Sequence, residues 1–79
     1  MIIINQDRDN SVQLQKNDFL NIKINTYENK IIGYSLYINN INLGTFDTLK
    51  DVILEKYRIL NCKYSYYIVN GFKDYLNCF

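Results

Sequence analysis

Two periods of apolar residues divide this chain. Through the first half the beat is two: Leu20, Ile22 and Ile24 alternate with Asn21, Lys23 and Asn25, and Tyr34, Leu36 and Ile38 alternate with Gly33, Ser35 and Tyr37. That beat predicts half-buried strands with one apolar face. Ahead of them, "MIIIN" and "SVQLQ" read as two short strands joined by the polar turn Gln6 to Asn10. From Thr48 the period lengthens to about 3.6. Leu49, Val52, Ile53, Tyr57 and Leu60 then share one helical face, with Lys50, Asp51, Glu55 and Arg58 on the other. Thr48 with Asp51 is a variant capping box, and Asp47 is the alternative cap. "KYSYYIV", Lys63 to Val69, is a further strand, and Asn70–Gly71 is a turn signal. In the tail, Phe72, Tyr75, Leu76 and Phe79 fit a short amphipathic helix, with a second hairpin strand as the alternative.

The hairpin registers follow from where the apolar stripes must meet. A two-residue turn at Glu28–Asn29 would set Lys23 opposite Tyr34 and put the stripes on opposite faces. A three-residue loop, Glu28 to Lys30, pairs Ile24 with Tyr34, Ile22 with Leu36 and Leu20 with Ile38, so the longer loop is expected. A primed turn at Asn39–Asn40 pairs Ile38 with Ile41 and Leu36 with Leu43, and sets Gly33 opposite Phe46. The expected fold is α+β: one domain over residues 1–79, a single twisted antiparallel sheet of about five or six strands in a meander, and one amphipathic helix on its apolar face.

Composition narrows the chemistry. At 79 residues the chain buries only about 60–65% of its unfolded surface, so a partner subunit or a host protein would help it. Histidine is absent and the net charge is +1. That leaves no imidazole for a nucleophilic pair or a metal site, and no field that draws nucleic acid or acidic membrane. Cys62 and Cys78 read as reduced thiols, with one bridge as the alternative. The longest apolar run, Met1 to Ile4, is too short for a membrane span or a leader core. A soluble cytoplasmic chain is expected. Asn, Ile, Lys and Tyr dominate, which fits an AT-rich bacterium, its phage or its plasmid.

Two motifs lose their chemistry on inspection. "NLGTFDT" has one glycine and no lysine, and Asp47 sits where a phosphate would lie, so Gly44 marks a bulge or a close backbone approach. Asp7, Asp9, Ser11 and Asp18 have calcium-loop spacing, but Val12 replaces the loop glycine and no helices flank them. No metal, cofactor or catalytic residue is expected.

Eight tyrosines among twelve asparagines suit a protein interface. Codon bias accounts for part of that excess. Tyr37, Tyr67 and Phe46 are expected outside the apolar stripe. With Asn42, and with Glu55 and Arg58 at the rim, they form the expected partner-contact surface. The stretches "MIIINQDRDNSVQL" and "LGTFDTLKDVILEKYRIL" resemble a loose set of small uncharacterised proteins of low-GC Firmicutes and their phages, over residues 1–69. The shared features are turn and cap chemistry, which carry over no functional residue. The resemblance implies a phage or mobile-element origin, where such chains often inhibit host machinery, anti-CRISPR proteins among them. The expected function is non-enzymatic: docking on a host protein and inhibiting it. The alternatives are an oligomeric small-ligand or nucleotide binder, with the pocket between subunits, and a single-strand nucleic-acid binder using Lys23, Tyr37 and "KYSYY".

Overall fold

The computed structural model describes residues 1–70. The tail reading from Phe72, Gly71 and any bridge to Cys78 lie outside the described residues. Strands β1 (Ile2–Ile4), β2 (Ser11–Gln13), β3 (Leu20–Tyr27), β4 (Lys30–Ile38) and β5 (Ile41–Phe46) precede helix α1 (Leu49–Leu60) and strand β6 (Tyr66–Ile68). The fold is α+β, and β3-β4-β5 is the expected meander. The single sheet is corrected to two, because the N-terminal strands pair β2-β1-β6 in a sheet of their own. The helix carries the chain back alongside β1, so β6 pairs with it in parallel, Ile3 facing Tyr67. Gln6 joins the sheets: its backbone N–H donates to the Leu43 carbonyl at 2.7 Å, and its Oε1 accepts the Thr45 N–H at 2.8 Å.

The first hairpin has the expected register by a different route. Ile24 faces Tyr34, Ile22 faces Leu36 and Leu20 faces Ile38. The turn, however, is the two-residue Glu28–Asn29, with φ of 50° and 64°. A primed two-residue turn matches the right-handed twist of its strands, and a longer loop does not do so as well. The odd residue is absorbed inside the strand instead. Thr26 faces Ile31 and Asn25 faces Gly33, leaving Ile32 as a bulge.

A second bulge overturns part of the second hairpin. Asn39–Asn40 forms the primed turn, with φ of 49° and 67°, and Ile38 faces Ile41. Leu43 is then the extra residue, so Leu36 faces Gly44 and Tyr34 faces Phe46. The expected Leu36–Leu43 and Gly33–Phe46 pairs do not form. One inserted residue turns every later side chain to the other face, so Phe46 lies in the core at 7% exposure and not on the outer surface. Gly44 is where the chain tolerates this. A Cβ there would meet Gln6 Oε1 at 2.9 Å and Val69 Cγ1 at 3.2 Å.

Helix α1 starts where expected. Thr48 Oγ1 accepts the Asp51 N–H at 3.1 Å, Asp51 lies in the first turn and Arg58 in the last. Its buried residues are Val52, Glu55 and Ile59. Val52 and Ile59 join Ile3, Leu20, Leu36, Ile38, Leu43, Phe46 and Val69 in one hydrophobic core. Leu49, Tyr57 and Leu60, expected inside, are exposed. The helix is turned about its axis toward its own glutamate.

Candidate binding surface

The turn of α1 separates the polar residues that the sequence groups together. Glu55 is 1% exposed. It is tolerated there because both carboxylate oxygens have protein partners. Oε1 accepts the Tyr67 hydroxyl at 2.7 Å and the Asn70 backbone N–H at 3.0 Å. Oε2 lies 3.3 Å from Arg58 Nη1. A buried carboxylate is stable only when its oxygens are satisfied in this way. Burial, followed by the hydrogen bond to Glu55 and that group's charge, pushes the Tyr67 hydroxyl well above the usual tyrosine range, with Arg58 pulling weakly the other way. A phenol that holds its proton so tightly is a poor acid and a poor nucleophile. The cluster acts as a clamp that fastens β6 and the Asn70 turn to the helix.

The six residues expected to form one contact surface therefore divide. Tyr37 and Asn42 lie side by side across β4 and β5. They belong to the polar outer face of the meander, where Asn25 Nδ2 donates to Ser35 Oγ at 2.7 Å. Asn42 Oδ1 also accepts the Gly44 N–H at 2.8 Å, so this side chain holds the bulge. Phe46 is in the core. Glu55, Arg58 and Tyr67 are brought together, but as the clamp, with Glu55 inaccessible. Next to Asn42 an open polar cleft runs between the β1–β2 turn and the β5 bulge, lined in part by Asp7, Asp9 and Thr45. Asp9 is committed to its own turn, accepting from Asn5 Nδ2 at 2.7 Å. Asp18, the distant member of the same spacing, accepts from the Gln15 N–H and from Asn39 Nδ2. No group of three or more metal-ligating side chains converges among the described residues.

What the sequence reading missed is the outward stripe of α1. At about 100° per residue, Leu49, Ile53, Tyr57 and Leu60 fall within an arc of roughly 80°, and the buried Val52, Glu55 and Ile59 centre about 120° away. Exposures of 46% for Leu49, 57% for Tyr57 and 55% for Leu60 leave most of that arc in water. Lys50 and Lys56 border it on either side, and Asp51 and Arg58 point away from it. The periodicity groups Leu49, Val52, Ile53, Tyr57 and Leu60 on one buried face, and the structure divides them: Val52 is in the core, Ile53 packs half-buried against it, and Leu49, Tyr57 and Leu60 are exposed. The periodicity could not say that a neighbouring arc would face the core.

Comparison with protein families, with curated proteins and with solved structures finds no match to this chain. Among the described residues no helix is long and apolar enough to cross a membrane.

Proposed function

We propose that this chain is a non-enzymatic binding protein that docks through the outward stripe of α1 on a host protein and inhibits it. One observation supports the reading: Leu49, Tyr57 and Leu60, on one face of a well-capped helix, are exposed, with the half-buried Ile53 between Leu49 and Tyr57. Scattered exposed apolar residues are ordinary, but a contiguous stripe marks a contact surface. The spacing is that of a helix laid into a groove, with anchors every three or four residues. Flanking Lys50 and Lys56 select a groove with an apolar floor and carboxylates at its rim. Inhibition follows from occlusion of that groove. A composition rich in Asn, Ile, Lys and Tyr, which fits an AT-rich bacterium or its phage, makes a bacterial cytoplasmic target, such as a defence nuclease, the reading to test first.

A photo-crosslinking residue placed at Tyr57, and at the exposed turn residue Asn40 as control, tests this in a low-GC bacterial lysate. A single protein should be captured from position 57 and lost when Leu49 and Leu60 are both changed to Lys. The purified target should lose activity as the chain is added. Equal labelling from both positions would refute the surface. Stronger labelling from Tyr37 would move the contact to the meander's outer face.

A further inference from the structure

We infer that β3 is a self-pairing edge: two copies of this chain join antiparallel along it, about a two-fold axis through Ile22, making one continuous sheet from the two meanders. The order β3-β4-β5 leaves two edges. Gln6 occupies part of the β5 edge through its bonds to Leu43 and Thr45. On the β3 edge, β4 is the only partner among the described residues. That edge is eight residues long and contains no proline. The edges of the other sheet, β2 and β6, have three residues each. A long open edge presents a row of unpaired N–H and C=O groups that template another strand.

The side chains of β3 choose both the occupant and the register. Antiparallel pairing keeps the apolar residues on one face only when Leu20, Ile22 and Ile24 meet residues of the same alternation. An axis through Lys23 would set Lys23 against Lys23 of the second copy, and like charges directly opposite are destabilising. An axis through Ile24 would set Ile22 against Thr26 and Leu20 against Glu28, and would run into the irregularity at Asn25–Thr26. The axis through Ile22 sets Ile22 against itself, Leu20 against Ile24, Asn21 against Lys23 and Phe19 against Asn25. Apolar meets apolar, each lysine meets an asparagine, and pairing stops at the bulge. It also covers Ile24, now 53% exposed on the core side of the sheet. A net charge of +1 sets up little repulsion between copies. The segment 19–25 would bury on the order of 1,000 Å² in total, at the low end for specific interfaces, so association in the micromolar range is expected.

Sedimentation of the full chain from about 1 to 500 µM reads this directly. The mass should rise from 9.5 kDa toward twice that value. Amides of β3 should exchange more slowly with deuterium as concentration rises, which reports the edge even without a substitution. Ile24→Lys places a charge against Leu20 of the second copy. It should hold the chain at the monomer mass with an unchanged circular dichroism spectrum, because Ile24 lies largely in solvent. Tyr57→Lys on the helix should leave association unchanged. A monomer mass at every concentration would overturn the inference. So would a dimer that survives Ile24→Lys, or one that Tyr57→Lys abolishes.

Discussion

Removing the Glu55 carboxylate tests the internal architecture most sharply, because the periodicity and the structure predict opposite results. On the polar face of the helix, Glu55→Ala would change stability by no more than about 0.5 kcal/mol. In the clamp, it leaves the Tyr67 hydroxyl and the Asn70 N–H without their acceptor. A stranded buried donor costs about 1–3 kcal/mol. Both donors are half-buried, so water recovers part of that, and about 3 kcal/mol for the pair is expected. For a domain of this size, each kcal/mol moves Tm by about 4–8 °C. Glu55→Ala should therefore lower Tm by roughly 12 °C or more. Tyr67→Phe removes only one of the two hydrogen bonds and should cost about 1.5 kcal/mol. Because the two side chains share a bond, their effects should not add. In a urea double-mutant cycle, Glu55→Ala with Tyr67→Phe should be less destabilised than the sum of the singles, by about 1.5 kcal/mol. Glu55→Gln keeps one acceptor oxygen and should fall between wild type and Ala. The exposed Arg58 side of the ion pair contributes little, since surface charge is screened. Additive single effects, or a Glu55→Ala change within the range of an exposed control such as Glu28→Ala, would refute the clamp.

Two further outcomes follow from the same geometry. Tyr67 holds its proton to higher pH in the folded chain than in the unfolded chain. Its contribution is therefore complete below the unfolded value of about 10 and is lost as pH rises above it. The stability gap between wild type and Tyr67→Phe should shrink from pH 10 upward. One proton sets a limit of about 1.4 kcal/mol per pH unit, reduced by water at the half-buried ring. A constant gap in urea titrations between pH 9 and about 11.5 would contradict it. Gly44→Ala should cost roughly 1–3 kcal/mol by overpacking. The new methyl would press on Gln6 and Val69, and Gln6 is held by its bond to Thr45. A neutral Gly44→Ala in thermal melts would show that the β1–β2 turn yields freely.

Local chemistry was legible in the sequence, and long-range geometry was not. The Asn39–Asn40 turn and the Thr48 cap depend on neighbours within a few residues, and both are present; the β3–β4 register is present too, but over a two-residue turn and a bulge in place of the expected three-residue loop. Bulges are not visible in an alternating pattern, because one inserted residue leaves the alternation intact on either side of it. That is why Phe46 was placed on the wrong face. The partnership of β1 with β6 joins strands separated by most of the chain, each three residues long, and so short a segment carries almost no information about its neighbour. Glu55 was misplaced for a third reason. Periodicity assigns a charged residue to water by default, whereas its acceptors here are filled by a tyrosine and a backbone N–H near the end of the described chain. The partial clue was Tyr67: a tyrosine in a short strand leading into an Asn-Gly turn supplies a hydroxyl that needs a partner when buried.

The buried glutamate and the exposed apolar stripe are two consequences of one rotation of α1. A helix with apolar residues at Leu49, Val52, Ile53, Leu54, Tyr57, Ile59 and Leu60 spreads them over more of its circumference than a small sheet can cover. Some of the arc must remain outside. Turning the helix so that Tyr57 and Leu60 faced the core would bury more apolar area, at about 25 cal/mol per Å². It would also swing Glu55 away from Tyr67 and Asn70, breaking the attachment of β6 and with it the parallel pairing to β1. The observed orientation keeps the second sheet on the molecule and leaves the stripe in water. Substitutions along Leu49, Tyr57 and Leu60 therefore touch little that holds the monomer together, while those at Val52 and Ile59 reach its centre. A surface that the fold does not need, yet which carries two leucines and a tyrosine in water, is where contact with another molecule gains most.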